Sequence, residues 1–256
     1  MTRLWGCLVV GGVAPFLALG AQPASALGQP LHHQTVRVTV PGVVTGLSVR
    51  GEVGNITVVP GSVTRVVATE QWNLAAPTLV HSVHDGLLSV AAPCPKPTGI
   101  VDLGFNDCSV DLAITVPSAV TVRAVDSVGD IRVRDLRGAE SLHSDVGDIV
   151  ADNLVAPTLS ADSDSGTVRL SAVRSRSLSL RSDSGGIHAD LAAMPRTLVA
   201  RSSDGDVDLT LPAGTYAVDT HTDVGTTHVR GITTNADAPR KVTAHTDDGD
   251  IRIVGR

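Results

Sequence analysis

Aromatic side chains are scarce in this chain. Phe, Trp and Tyr make up 2% of its 256 residues, and beyond residue 26 they are Trp72, Phe105 and Tyr216. Aromatics bury large areas and dominate most cores, so the interior here must be built from Val, Ile, Leu and Ala. Lysine is nearly missing as well, occurring at Lys96 and Lys241. The formal net charge is −6, and no segment concentrates basic residues. A nucleic-acid binder would lack its electrostatic footprint, and an anionic lipid surface would find no polybasic segment. There is no Gly-x-Ser-x-Gly elbow, phosphate-binding loop or zinc signature. No segment sustains a helical apolar period with caps. What is left is an all-β chain for which neither an enzyme activity nor a cofactor is expected.

The first residues set the compartment. Met1-Thr2-Arg3 is a short, positive start, and Leu4 to Leu19 is an uncharged apolar run. Ala24-Ser25-Ala26 has the small-x-small spacing that signal peptidase accepts. Residues 1–26 read as a secretory leader cut after Ala26. The apolar run is 16 residues long and contains Pro15. A membrane-spanning helix needs ~20 apolar residues, so no span is expected after cleavage. Cys7 precedes the apolar run, whereas a lipid-anchor cysteine would end it. Loss of Arg3 leaves 19 basic against 26 acidic residues, a formal charge of −7. Cys94 and Cys108 remain. An even count in an exported chain predicts a disulfide, which for so short a loop contributes about 3 kcal/mol.

One internal repeat dominates the rest. Its anchor is a glycine at Gly129, Gly147, Gly166, Gly185, Gly205, Gly225 and Gly249, with spacings of 18, 19, 19, 20, 20 and 24; an isolated earlier copy sits at Gly54. Apolar residues fall seven and five places before the glycine and two and four after it, as in Val122 to Val133 or Leu159 to Leu170. Period two on both sides of a break means strand, tight turn, strand. The turn reads Ser/Thr-Asp-x-Gly. Asp and Ser bond their own backbone there, and Gly accepts positive φ without a Cβ penalty. Asn153, Pro157, Pro195 and Pro212-Ala213-Gly214 mark second bends between units.

One unit cannot bury its apolar residues alone. Stacking like on like buries a continuous aliphatic column, with rungs ~4.8 Å apart. The expectation is therefore a β-solenoid over 121–256, with a β-sandwich as runner-up. Residues 27–120 form a less regular β region, continuous with the repeats, that caps their open end. Strands are predicted at Val36–Val40, Val63–Ala68, Leu87–Val90 and Val110–Val116. Thr233 to Pro239 reads as a surface loop inserted in the last repeat.

Carboxylates recur in register. Asp145, Asp164, Asp183, Asp223 and Asp247 share the place two before the glycine, and Asp130, Asp148, Asp206 and Asp250 the place just after it. Two unit charges one rung apart repel by about 1 kcal/mol in water. Turn hydrogen bonds and solvent relieve that repulsion, and so would Ca²⁺, which takes carboxylate oxygens. Calcium β-rolls use glycine-rich nonapeptides, a density absent here, so the five Asp of the first column are weak calcium candidates and no metal site is expected. A third column, four before the glycine, holds His143, Asp162, Arg181, Arg201, His221 and His245. It reads as an outward ladder of mixed charge rather than a zinc site.

The repeated Ser-Asp-x-Gly-Asp-Ile-x-Val unit resembles the bacterial DUF4097 family, also called the toastrack family and labelled adhesin-like. So do Val116-Pro117-Ser118-Ala119-Val120 and Leu211-Pro212-Ala213-Gly214. The resemblance runs from about Val36 to the C-terminus. It implies an all-β repeat domain of the cell envelope, outside the cytoplasm, with no catalytic residues attached. The function expected is an adhesin-like binding or scaffold module for an envelope protein or polymer. The alternative is an envelope-stress sensor acting through a partner protein. A carbohydrate-active β-helix enzyme ranks behind both, because its carboxylates would have to converge in a cleft.

Overall fold

The computed structural model describes residues 31–95 and 107–256. The expected leader 1–26, Lys96 and Phe105 lie outside the described residues. Each repeat folds as two strands joined at its glycine, forming one rung. In the Gly147 rung these are Glu140–Val146 and Ile149–Asp152; in the Gly205 rung, Thr197–Asp204 and Val207–Leu211. First strands pair in parallel with first strands and second with second, in register: Leu142 stands beside Ala124 and Ala161, Ile149 beside Ile131 and Val168. Two parallel sheets thus face each other across one aliphatic core of Val, Ile, Leu and Ala. The chain is an all-β solenoid, as its repeat predicts. A one-residue slip would turn every apolar side chain outward, which holds the register.

The anchor glycines carry the turn. All eight have φ between +127° and +158°, a region that L side chains avoid. They also stack without side chains between them. A Cβ on Gly147 would overlap the carbonyl of Gly129, and one on Gly166 the carbonyl of Gly147. At the opposite corner, Asp135, Asn153 and Ala172 take φ of 58°, 50° and 53° in successive rungs. Asn153 Nδ2 donates to Asp135 Oδ1 at 2.7 Å there. The last of these bends lies inside one long strand, Val168–Ser184, which serves two rungs.

The stacking order departs from the chain order at both ends. The Gly54 copy, isolated in sequence, lies directly on the Gly129 rung, Gly46–Val53 against Thr121–Val128 and Ile56–Pro60 against Ile131–Arg134. At the other end the Gly205 rung pairs with the Gly249 rung, which in turn pairs with the Gly225 rung. The last repeat of the chain, Lys241–Asp248 and Ile251–Gly255, is therefore the penultimate rung, and the Gly225 repeat is the terminal one. The side chains agree. The Gly249 repeat buries Val242, Ala244, Ile251 and Ile253, whereas the Gly225 repeat has Thr220 and Thr227 at two of the equivalent places.

Both ends carry covers. On one sheet the Gly54 rung continues through Cys108–Val116, Arg65–Trp72 and His32–Thr39, the last two added antiparallel. On the other sheet it continues through Leu87–Ala91 and the antiparallel Val80–His84. That hairpin turns on Asp85-Gly86, both at positive φ, the dipeptide a two-residue turn favours. A Cys94–Cys108 disulfide, Cα–Cα 5.9 Å, ties the two extensions together. At the far end, the segment read as a surface loop, Thr233 to Pro239, is mostly exposed but begins with a short pairing. Thr233–Thr234 pairs with Thr215 and Tyr216, and Ile232 packs on the core. The buried Tyr216 fills this corner, its hydroxyl donating to the Pro212 carbonyl at 2.8 Å.

The glycine stack makes a sharp prediction. Gly147→Ala combines the wrong φ with a backbone collision and should cost about 3 kcal/mol or more. Gly42→Ala has φ +92° but open space around it, and should cost about 1 kcal/mol. Urea melts of the two variants check this, and equal losses would contradict the role given to the stack.

Candidate functional site

Two side-chain ladders line the turn. Three places before six of the eight glycines stands a hydroxyl that points inward. Ser144, Ser163, Ser182 and Ser202 donate to the carbonyls of Gly129, Gly147, Gly166 and Gly185 at 2.7 to 3.0 Å. Thr246 and Thr222 do the same to Gly205 and Gly249. At and around the place after the glycine, a series of side-chain oxygens accepts the backbone N–H of the counterpart one rung on. Asp111 holds Asn55, Asn55 holds Asp130, Asp130 holds Asp148, and Asp148 holds Thr167. Beyond Gly186, Asp206 holds Asp250 and Asp250 holds Thr226, at 2.8 Å each. These carboxylates tie rung to rung, and the bonds that the Thr226 N–H and hydroxyl donate to Asp250 hold it below the usual carboxylate range.

The column two before the glycine faces solvent. Its members pair with the column four before the glycine: His143 with Asp145, Arg181 with Asp183, and His221 with Asp223, each at 2.9 Å. Asp162 lies 3.7 Å from His143 and 4.0 Å from Arg181. This is a largely exposed ladder of mixed charge, and such pairs contribute little individually. His143, Asp145 and Asp164 bring three ligand-type atoms within 4.8 Å of one another. Calcium takes six to eight oxygens, and this set offers two carboxylates and a ring nitrogen that already faces Asp145. His221 and His245 are neighbours with ring centroids 6.0 Å apart, while His143 stands four rungs away.

Three carboxyls are buried among the described residues, Glu70 in the covering strand Arg65–Trp72 and two within the repeats, and the repeat template had passed over these two. Glu140 is 3% exposed in the column of Val122, Leu159 and Leu178. It has no hydrogen-bond partner, and burial pushes its pKa up to about 8. Asp126 is fully buried where the other rungs have their inward hydroxyl. Burial, reinforced by the charges of Asp130, Asp145 and Asp111 against a bond from the Ser127 backbone, raises it to about 6. Its neighbour at that place is Gly51, where a Cβ would strike Asp126 Oδ1.

The outer surface carries open grooves. One, about 770 Å³, is lined by Asp206, Asp208, Asp250, His228, Arg230 and Arg252. Another, about 590 Å³, is lined by Arg174, Arg176, Arg196 and Arg240 with Ala193, Met194 and Pro239. The second corrects the expectation that no basic patch exists. Its arginines are spread over 67 positions of sequence, and rung stacking alone gathers them.

Stability should fall as pH rises. Glu140 is neutral in the folded chain up to about pH 8 but ionises above 4.5 when unfolded. Its contribution is intact below pH 4.5 and is lost between there and pH 8, at up to about 1.4 kcal/mol per pH unit. Asp126 adds to the slope only below about pH 6. Glu140→Leu should therefore flatten the melting temperature between pH 6 and 8 and raise it at pH 8; an unchanged slope would reject the assignment. Millimolar calcium or chelator should leave the melt where it is, because ligand bound to the folded state alone would raise it. A calcium-dependent rise of several degrees would overturn the turn-forming reading of the Asp columns.

Comparison with known proteins places this architecture. The family model described as Toastrack DUF4097 matches residues 31–254. No curated protein sequence matches the chain. Among solved structures, an adhesin candidate from Bacteroides fragilis is 18% identical, with a TM-score of 0.55 over 88% of this chain and 98% of that one. An adhesin candidate from Parabacteroides merdae is 12% identical, with a TM-score of 0.44 over 87% and 96%. A candidate cell adhesion protein from Clostridium sporogenes is 14% identical, with a TM-score of 0.42 over 89% and 100%. With its repeats and both flanks inside the matched region, the chain belongs to the DUF4097 toastrack family.

Proposed function

We propose that this domain is a non-catalytic, adhesin-like binding or scaffold module exported to the bacterial cell envelope. The observation that carries the reading is the distribution of its carboxylates. Those with raised pKa, Glu140, Asp126 and Glu70, are buried at 3%, 0% and 3% exposure. A general acid needs a raised pKa and access to substrate together. The accessible carboxylates are repeated, equivalent and engaged with backbone N–H groups or neighbouring cations. A rigid rod with two long polar faces suits recognition of an extended partner. The disulfide at the capped end and the leader-like first residues support export. The description of the Bacteroides fragilis neighbour as an adhesin candidate agrees with this reading.

The test is expression of the full chain in a bacterial host. N-terminal sequencing should find the protein beginning at Leu27 outside the cytoplasm. The purified product should adsorb saturably to envelope material without releasing sugars or peptides from it. Retention of Met1 in the cytosol would defeat the export part, and turnover of an envelope polymer would defeat the non-catalytic part.

A further inference from the structure

The arginine groove is built by the rungs themselves. The Arg196 N–H donates to the Arg176 carbonyl at 2.8 Å, and the Lys241 N–H to the Arg196 carbonyl at 2.9 Å. Arg176, Arg196 and Arg240 therefore occupy one corner of three successive rungs, a row of roughly 10 Å at the ~4.8 Å spacing of strands. Arg174 joins them from the same bend as Arg176. Arg174, Arg176 and Arg196 are exposed and Arg240 is half-buried. No carboxylate lines the groove. The arginines that form ion pairs among the described residues, Arg132, Arg169, Arg181 and Arg256, stand elsewhere.

This arrangement works against stability. Like charges at equivalent places on neighbouring strands are destabilising, by about 1 kcal/mol per pair at close range in water. On both sheet faces the same chain sets cations beside Asp: Arg132 by Asp130, Arg169 by Asp148, Arg181 by Asp183. A protein of net charge −6 has acids to spare, yet none stands in this groove. Guanidinium groups stay charged at any physiological pH and fork onto oxyanions. A planar carboxylate is satisfied by one such fork. A tetrahedral phosphate presents oxygens in more than one plane and can be shared by arginines of adjacent rungs. Ala193, the 41%-exposed Met194 and Pro239 supply an apolar wall beside the row.

We propose that this groove binds a linear phosphate-bearing polyanion, its phosphates seated between the guanidinium groups of successive rungs. The proposal deepens the binding-module reading but does not depend on the compartment. The test is calorimetric titration of the purified protein with sodium tripolyphosphate, beside inorganic phosphate and the tricarboxylate tricarballylate. Arg176→Ala/Arg196→Ala is compared with the control Arg132→Ala/Arg169→Ala on the outer sheet face. The expected result is saturable tripolyphosphate binding, weakened at least tenfold in the groove variant and unchanged in the control. The affinity should depend less steeply on salt in the groove variant, which should melt at or slightly above the parent because like-charge repulsion is removed. Absence of saturable binding by the parent, equal losses in the two variants, or tighter binding of tricarballylate would each overturn the proposal. A failure of envelope adsorption would leave this titration untouched, since it uses soluble protein and a defined salt.

Discussion

The close approach of one turn glycine to the carbonyl of the next holds the rest of the structure in place. Removing the Cβ lets two backbones meet where a side chain would separate them. The carbonyl that comes near is then capped by a hydroxyl from three residues before the glycine of the adjoining rung. Shape and hydrogen bonding thus act on the same atom. Once this edge is fixed, the parallel register follows, and the aliphatic columns stack in one buried core. It also explains the departure at Asp126. A carboxyl replaces the hydroxyl there, and the facing residue is Gly51, whose missing side chain leaves it room.

What was legible in the sequence was local. The glycine and its flanking alternation announce strand, turn and strand within a dozen residues, and repetition announces stacking. Rung order is a long-range property that glycine spacing does not encode. The clue was nevertheless present: Thr220 and Thr227 stand where the other repeats have aliphatics, because a terminal rung leaves one side of its core residues open to water. The arginine groove was illegible for the same reason. Arg176, Arg196 and Arg240 become neighbours only when the Gly249 repeat stacks directly on Gly205. Glu140, by contrast, could have been found by checking each repeat against the template, since it stands seven before Gly147 in an otherwise apolar place.

The chemistry of the carboxylates divides by depth. At the turn edge they accept N–H groups and are structural. On the sheet face they alternate with cations and are solvated. In the core burial raises their pKa, and they become a burden on stability above mild acidity. A search for catalytic groups by raised pKa alone would have chosen Glu140, Asp126 and Glu70, and burial is what disqualifies them.

The slot filled by the last repeat has a consequence for how the molecule is made. An ordinary solenoid can grow by adding each new coil to the one before it. Here a chain emerging from its N-terminus can settle every rung up to Gly205 as it arrives. The Gly225 repeat then has no floor to stand on, because its floor is Lys241–Asp248 and Ile251–Gly255. Completion waits for the Gly249 repeat, which must settle on the Gly205 rung before the Gly225 repeat can be laid on it. Chain order and building order therefore part company at this end of the stack.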